Sequence, residues 1–472
     1  MGELANGGEA DVPPRIDTLV SWAVAHGATL HPAVDVYDDA QTGLSFRVKP
    51  SAQRPLQPFE PVVRLPTSLA LSYLNALADE GPRRFARAFL ADAPPHVVGR
   101  LFLAKEYLAG TDSFWWPYIQ ALPQPLEPER WALPPFWPAD EAELLEGTNL
   151  EASIDKIRRD VEREWTEARE LLRQHGDDEL SGKALTATLY QWAYCVFSSR
   201  SFRAGLVLSE AQLRRLPEGV AVDDFSVLMP LLDVGNHDMT TEVRWDVDDA
   251  SQTCDFRVGK AHVAGEQIFN NYSMKTNAEL LLGYGFMVPP TPDLHNDYTH
   301  LRKRTAATPV ASDEYLISLR PLSDPSSLLG RSKQTLRFDP ATPVLGAFRH
   351  VPPDMAWDIF CTLTPPAQRE RLMPAAEGGG DDARRDSFVA GRVVGEGRLY
   401  LEQTVAVIQH EVLQELERLD ETDVEVVGGD WHLLTGNQKL ALDYRERCRQ
   451  VLENTLSAMS QDELLNDVAE EQ

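Results

Sequence analysis

Residues 228–238 read LMPLLDVGNHD and residues 265–288 read GEQIFNNYSMKTNAELLLGYGFMV, and this stretch decides the reading of the whole chain. It holds an Asp233-x-x-Asn236-His237 turn, a Gly265-Glu266 turn, Tyr272 at the end of an apolar segment, and Tyr284-Gly285-Phe286 closing a short helix. Between the two quoted pieces Val243, Trp245 and Val247 alternate with polar residues, and so do Cys254, Phe256 and Val258. That period of two predicts a pair of strands joined by Asp-Asp-Ala-Ser. EQIFNNY predicts a third strand ending at Ser273. Thr276 and Glu279 have capping-box spacing and open the helix NAELLLGYG. Tyr272 therefore falls on a strand-to-helix connection, a common place for functional side chains.

Outward from this stretch the pattern changes twice. Residues 1–15 are polar and Gly-rich and are expected to be disordered. Ile16, Leu19, Val20, Trp22 and Ala23 predict a helix stopped by Gly27. TGLSFRV and VVRLP (62–66) read as short strands. From about Thr67 to Tyr194 the chain reads as helical, with SLALSYLNAL one short helix and VVGRLFLAKEYLAG another ending at Gly110. Pro117 to Pro138 is Pro-rich with rings among the prolines, so irregular structure packed by aromatics is expected there. After it, Thr148 and Glu151 form a second capping box, and Ile154, Ile157, Val161, Trp165, Ala168 and Leu172 make one apolar stripe up to Gly176. Residues 374–387 read as a flexible loop. Two amphipathic helices end the chain, on Leu401, Val405, Ile408, Val412, Leu416 and Leu419, then on Leu440, Tyr444, Cys448, Val451 and Leu452, and helices of this kind brace a neighbour or present a groove.

The 472 residues exceed one ordinary core, so two or three lobes are expected. Hydrophobic content of 43% and charged content of 25% are those of a globular protein. Lys plus Arg number 45 against 73 Asp plus Glu, a formal charge of −28. That balance disfavours direct nucleic-acid binding. It would steer a basic polypeptide toward the surface, although solubility alone also explains it, helped by the acidic end at 461–472. Cys195, Cys254, Cys361 and Cys448 are scattered, which argues against structural zinc and a disulfide framework and fits a reducing compartment. No metal ligand set is expected. The first residues lack the basic start and apolar run of a signal peptide, and no apolar run approaches the ~20 residues of a membrane span. A soluble protein of the cytoplasm, the nucleus or both is the expectation.

Taken singly, the residues of the central stretch have plain explanations. Asn-His pairs tie down loops. Arg200 in FSSRSF suits a local ion pair, Tyr272 a half-buried strand position, and Tyr284-Gly285-Phe286 a helix end with core rings. Their joint order is more specific. SSRSF, then LLDVGNH, then GEQIFNNYSMKTNAELLLGYGF resembles the catalytic half of SET-domain lysine methyltransferases. More narrowly it resembles the branch of the Rubisco large-subunit methyltransferase and the fungal ribosomal-protein lysine methyltransferases. LAGTDSFWWPYIQALP and the later GTNL resemble that branch's insertion.

The resemblance implies an α+β fold: a SET domain of short strands at 16–290, with a helical insertion at about 67–194, and a mainly helical substrate-binding domain at 291–472. It implies S-adenosylmethionine as cofactor and a basic protein substrate, with a ribosomal protein first among candidates and a monomeric enzyme. Carried over residue by residue, Gly43 and Leu44 lie where the backbone approaches the cofactor. Asn236 and His237 match the Asn-His that holds the cofactor's adenine and amino-acid ends, and Asp233 lies beside the cofactor and substrate pocket. Arg200 matches the arginine that reaches the cofactor carboxylate and borders the substrate. Tyr272 matches the catalytic tyrosine, in contact with both cofactor and substrate. Tyr284 lines the lysine channel and Phe286 the cofactor. The segment carrying the tyrosine is expected to thread a neighbouring loop, a rare exception to simple topology.

The implied chemistry suits these residue types. Methyl transfer is an in-line displacement, so no protein nucleophile or metal is needed, and alignment contributes up to roughly 7–11 kcal/mol. An aromatic channel desolvates the lysine amine and frees its lone pair. A tyrosine hydroxyl orients the amine and accepts weak C–H···O contacts, and rings suit cations. Two positions depart from the pattern: Ser45 follows Gly43-Leu44 where a second glycine is usual, and Ser273 follows Tyr272 where glycine is usual. They motivate an alternative, a catalytically degenerate SET-fold protein that binds a partner. The same reaction on a histidine or histone acceptor is a further alternative, since pocket volume rather than sequence decides it.

Overall fold

The computed structural model describes residues 15–39, 41–81, 83–176, 184–303, 314–333, 343–373, 380–423 and 431–462. Of the disorder expected at 1–15, residues 1–14 lie outside them, as does the first part of the expected loop, 374–379, whereas Arg15 opens the helix Arg15–Ala25. The fold is mixed α+β, built as two compact units. One holds residues 1–132 and 159–273; the other holds 133–158 and 274–472.

Among the described residues the first unit carries ten short strands: β1 (Thr29–Leu30), β2 (Val34–Asp39), β3 (Gly43–Val48), β4 (Pro61–Pro66), β5 (Leu71–Ser72), β6 (Ser201–Arg203), β7 (Ser226–Leu228), β8 (Val243–Asp248), β9 (Thr253–Val258) and β10 (Gln267–Ile268). They form three antiparallel sheets, ordered β1-β4-β9-β8, β10-β3-β2 and β5-β7-β6. The alternation seen in the sequence holds in β8, where Val243, Trp245 and Val247 are half-buried and the residues between them exposed. Across β4 and β9, Arg64 holds Asp255 with a two-pronged ion pair at 2.7 and 2.9 Å, a geometry that also fixes register. Phe46, Val48, Val63, Leu65, Phe256 and Ile268 are fully buried, and the Phe46 and Phe256 rings approach to 6.1 Å.

Helices Pro95–Ala109 and Ala187–Arg200 belong to this unit. The first starts with Pro at its opening position and stops at Gly110, whose φ of +58° only glycine takes freely. The helix expected over SLALSYLNAL is only half formed: Thr67–Leu69 is a 3-10 turn, β5 follows, and the α-helix is Tyr73–Ala78. Ser72 explains the break, since its hydroxyl accepts from Leu74 N at 3.2 Å and Asn75 answers from inside the helix, so the cap sits in mid-segment. The strand expected over EQIFNNY is likewise shorter, ending at Ile268 apart from a single parallel bridge at Asn270.

In the second unit β11 (Tyr298–Arg302) pairs antiparallel with β12 (Glu314–Ser318). Helices Pro353–Leu363, Asp381–Val389, Gly397–Glu421 and Gly436–Ser460 surround a core in which the Phe360 and Phe388 rings stack 4.3 Å apart. The helix at 381–389 corrects the loop expected over 374–387. Its side chains bridge one turn, Arg384 to Asp381 at 2.9 Å and Arg385 to Asp382 at 3.1 Å, a pairing that composition alone hides. Among the described residues no helix is long and apolar enough to cross a membrane.

Candidate active site

Three segments of the first unit converge. The β2–β3 hairpin supplies Gly43, Leu44 and Ser45. Asp39 shapes its turn by accepting from Gln41 N at 2.9 Å and Thr42 N at 3.0 Å, and Gly43 takes φ +70°. The turn 231–238 supplies Asp233, Asn236 and His237. The run 270–273 supplies Tyr272. These last two lie side by side: Asn270 N donates to Asn236 O at 2.7 Å, and Asp238 N donates to Asn270 O at 2.9 Å. Gly235 permits the approach, because a Cβ there would stand 3.1 Å from Asn270 Cβ.

Hydrogen bonds then fix each side chain. Asn236 Nδ2 donates to Ser45 Oγ at 2.6 Å and to Leu44 O at 3.4 Å. Tyr272 N donates to His237 Nδ1 at 3.1 Å, so that ring nitrogen is an acceptor. The His237 and Tyr272 rings stack 5.0 Å apart and 11° from parallel. The Tyr272 hydroxyl donates to Gly235 O at 2.8 Å. The phenol is thus held at its backbone, its face and its tip.

Arg200 ends the helix Ala187–Arg200, and β6 begins at the next residue. Because Ser201 pairs with Leu228, Arg200 is brought beside the turn that follows β7. Its Nη1 lies 3.4 Å from Asp233 O and 3.7 Å from Asp233 Oδ2. Tyr118, on the short helix Trp116–Ile119, donates its hydroxyl to the same Oδ2 at 2.8 Å. Burial pushes the Asp233 carboxyl above its ordinary range, against the pull of Arg200 and the Tyr118 hydrogen bond. Burial also raises the Tyr118 phenol well above its usual value, aided by the Asp233 charge.

Of the residues singled out in the sequence, Gly43, Leu44, Arg200, Asp233, Asn236, His237 and Tyr272 all lie in the first unit; Arg200 meets Asp233, Asn236 meets Leu44, and His237 meets Tyr272, with the turn 231–238 common to the three contacts. Tyr284 and Phe286 belong to the second unit, at the end of helix Asn277–Tyr284, their rings 6.3 Å apart and edge to face. Lys275 Nζ lies 5.6 Å from the Tyr284 ring. Three contributors were missed. Tyr118 lies in the segment whose likeness to the family insertion is visible, yet its partner is 115 positions away, so sequence carries no trace of the contact. Ser45, read as a departure, is the bonding partner of Asn236. Asn271 reaches Met239 O at 3.1 Å and Thr241 O at 2.9 Å, and its Oδ1 accepts from Ser273 N at 2.8 Å. Ser273 itself takes φ +78°, the conformation for which glycine is usual.

No family model matches the chain. In sequence it is similar to the Schizosaccharomyces pombe protein described as ribosomal lysine N-methyltransferase set10, 28% identical over 304 residues covering 62% of this chain and 50% of that protein. It is similar too to protein-lysine N-methyltransferase EFM1 of Saccharomyces cerevisiae, 26% identical over 310 residues covering 58% of this chain and 49% of the relative. The chain spans about half the length of these relatives. In structure it matches the SET domain of LSMT solved with lysine and AdoHcy, with a TM-score of 0.62, 18% identity, and coverage of 97% of this chain and 94% of that one. The fold is therefore that of the LSMT SET-domain structure, and the chain is related in sequence to fungal lysine methyltransferases.

Proposed function

We propose that the chain is an S-adenosylmethionine-dependent protein-lysine N-methyltransferase acting on a basic non-histone protein, in the first place a ribosomal one. The observation that carries this reading is the fixed phenol of Tyr272, clasped by His237 and by the Gly235 carbonyl beside Asn236. The lysine and AdoHcy held by the structural neighbour, and the ribosomal activity ascribed to the fungal relative, support it. The surplus of acidic residues favours encounter with a basic acceptor.

The residues fit such a cofactor. Arg200 is part-exposed, offering a guanidinium to a carboxylate. The amide nitrogen of Asn236 is engaged by Ser45, which would leave its oxygen as the acceptor for the cofactor's ammonium. Glycine at 43 and 235 and the carbonyls of Leu44 and Gly235 offer backbone contacts to amino groups. When bound, S-adenosylmethionine supplies an electrophilic methyl on a sulfonium. The chain's own part is orientation. With its proton committed to Gly235 O, the Tyr272 oxygen keeps lone pairs for the acceptor amine and for polarised C–H groups.

The test is transfer of labelled methyl from S-adenosylmethionine to a purified basic ribosomal-protein fraction. Tyr272→Phe should fall by about 10²-fold or more in kcat, the scale of losing one oriented polar group. Equal labelling by wild type and variant would remove Tyr272 from the chemistry. Absence of cofactor binding in calorimetry would favour a partner-binding protein instead.

A further inference from the structure

Asp233 is the most enclosed charge at the site, its side chain only 2% exposed. On one side stands Arg200, a quarter exposed, whose Nη1 touches both the carbonyl and the carboxylate of Asp233. On the other stands the buried Tyr118 ring, its hydroxyl 2.8 Å from Oδ2. A carboxylate beside a guanidinium needs no phenol for charge balance. The phenol does something else: it fixes the plane of the carboxylate and so the end of the guanidinium that Asp233 holds, while the rest of Arg200 stays open to a ligand. A phenylalanine would fill the same space, so the hydroxyl adds only this contact.

Resting on the methyltransferase reading, we propose that Tyr118 is a positioning residue for the cofactor's carboxylate, acting through Asp233 on Arg200. The helical segment between β5 and β6 then does more than separate the two strands. It sends one side chain back to set the anion-binding end of the site. Arg200, Tyr118 and the backbone of Asp233 itself all act on the carboxyl in favour of its ionised form, against burial. Loss of the hydroxyl would leave burial less opposed and raise the carboxyl further.

The experiment is calorimetric titration of the full chain with S-adenosylmethionine, alongside steady-state kinetics. Tyr118→Phe should weaken cofactor binding about tenfold, the order of one hydrogen bond to a charged group. The KM for S-adenosylmethionine should rise by the same factor, and the melting temperature should stay within a few degrees, so that the loss reads binding and not folding. In an Arg200→Lys background, which keeps the charge and loses the guanidinium fork, the hydroxyl should matter less than about twofold. Asp233→Asn reads the same link from its other end, should Tyr118→Phe fail to fold, and should also weaken binding about tenfold. Unchanged cofactor affinity in Tyr118→Phe, or in Asp233→Asn, overturns the proposal. So does a tenfold loss that persists in the Arg200→Lys background. If the wild type binds no S-adenosylmethionine, the methyltransferase reading fails first, and the two failures are told apart by that control.

Discussion

At the scale of single residues, two backbone positions carry more of the site than their side chains suggest. Gly235 lets the turn 231–238 lie against Asn270, with a Cβ needing 3.1 Å where ordinary contact needs more. Gly235→Ala should separate the two segments, cost about 1–3 kcal/mol in urea denaturation, and weaken cofactor binding. Ser273 sits at φ +78°, its strain offset by the hydrogen bond from its N–H to Asn271. Ser273→Gly should raise stability by up to about 1 kcal/mol, because relief of the left-handed conformation exceeds the entropy that glycine loses on folding. A fall in melting temperature for that variant would show the serine to be unstrained. Ser45 has the opposite character. Its buried hydroxyl meets Asn236 Nδ2, Gly43 O and Thr42 Oγ1, so a residue read as a departure from pattern has a bonding role.

At the scale of elements, local chemistry wrote clear boundaries. Thr276 accepts from Glu279 N while the Glu279 side chain returns to Thr276 N at 2.7 Å, and Gly285 at φ +78° ends the same helix. Thr276→Ala should cost about 1 kcal/mol, measured as a shift in the denaturation midpoint at unchanged m-value. Ahead of the helix Glu151–Gln174 the expected box is displaced: Thr148 Oγ1 accepts from Leu150 N at 3.2 Å and Glu151 from Gly147 N at 3.0 Å, so each side chain caps a neighbouring N–H and not the other's. Strand ends were less legible. EQIFNNY alternates no better than a loop, and its last residues are held by the neighbouring 236–238 backbone rather than by a ladder. The helix at 381–389 was hidden because Gly- and Asp-rich composition suggests a loop, whereas one-turn ion pairs and burial of Phe388 decide otherwise.

At the scale of the molecule, the second unit carries a buried histidine whose titration links pH to folding. His295 is fully buried and stacks on Tyr298 at 4.9 Å. Burial lowers its pKa to about 4, with Arg320 adding to the effect. Between the ordinary value near 6.5 and about 4, the unfolded chain takes up a proton that the folded chain refuses. The stability is therefore complete above the upper limit and is lost as pH falls toward the lower one, by about 3 kcal/mol at most. Urea titrations at several pH values should show that slope, and His295→Gln should flatten it between pH 6.5 and 4. An identical slope in the variant would assign the acid sensitivity to carboxylates.

What the sequence determined by itself was local: helix stripes and glycine stops, the alternation of β8 (β9 is buried on both faces), and the order Arg200, Asp233, Asn236-His237, Tyr272 that marks the family likeness. Each of these is set within a few residues by backbone geometry, side-chain period and hydrogen bonds to the nearest turn. Only the tertiary structure decided which side chains meet. The bond between Tyr118 and Asp233, the grip of Ser45 on Asn236 and the parallel approach of 236 to 270 depend on how the sheets of one unit close around a shared core. Contacts between groups so far apart in the chain leave no periodic mark in it, because what brings them together is non-directional burial of apolar surface.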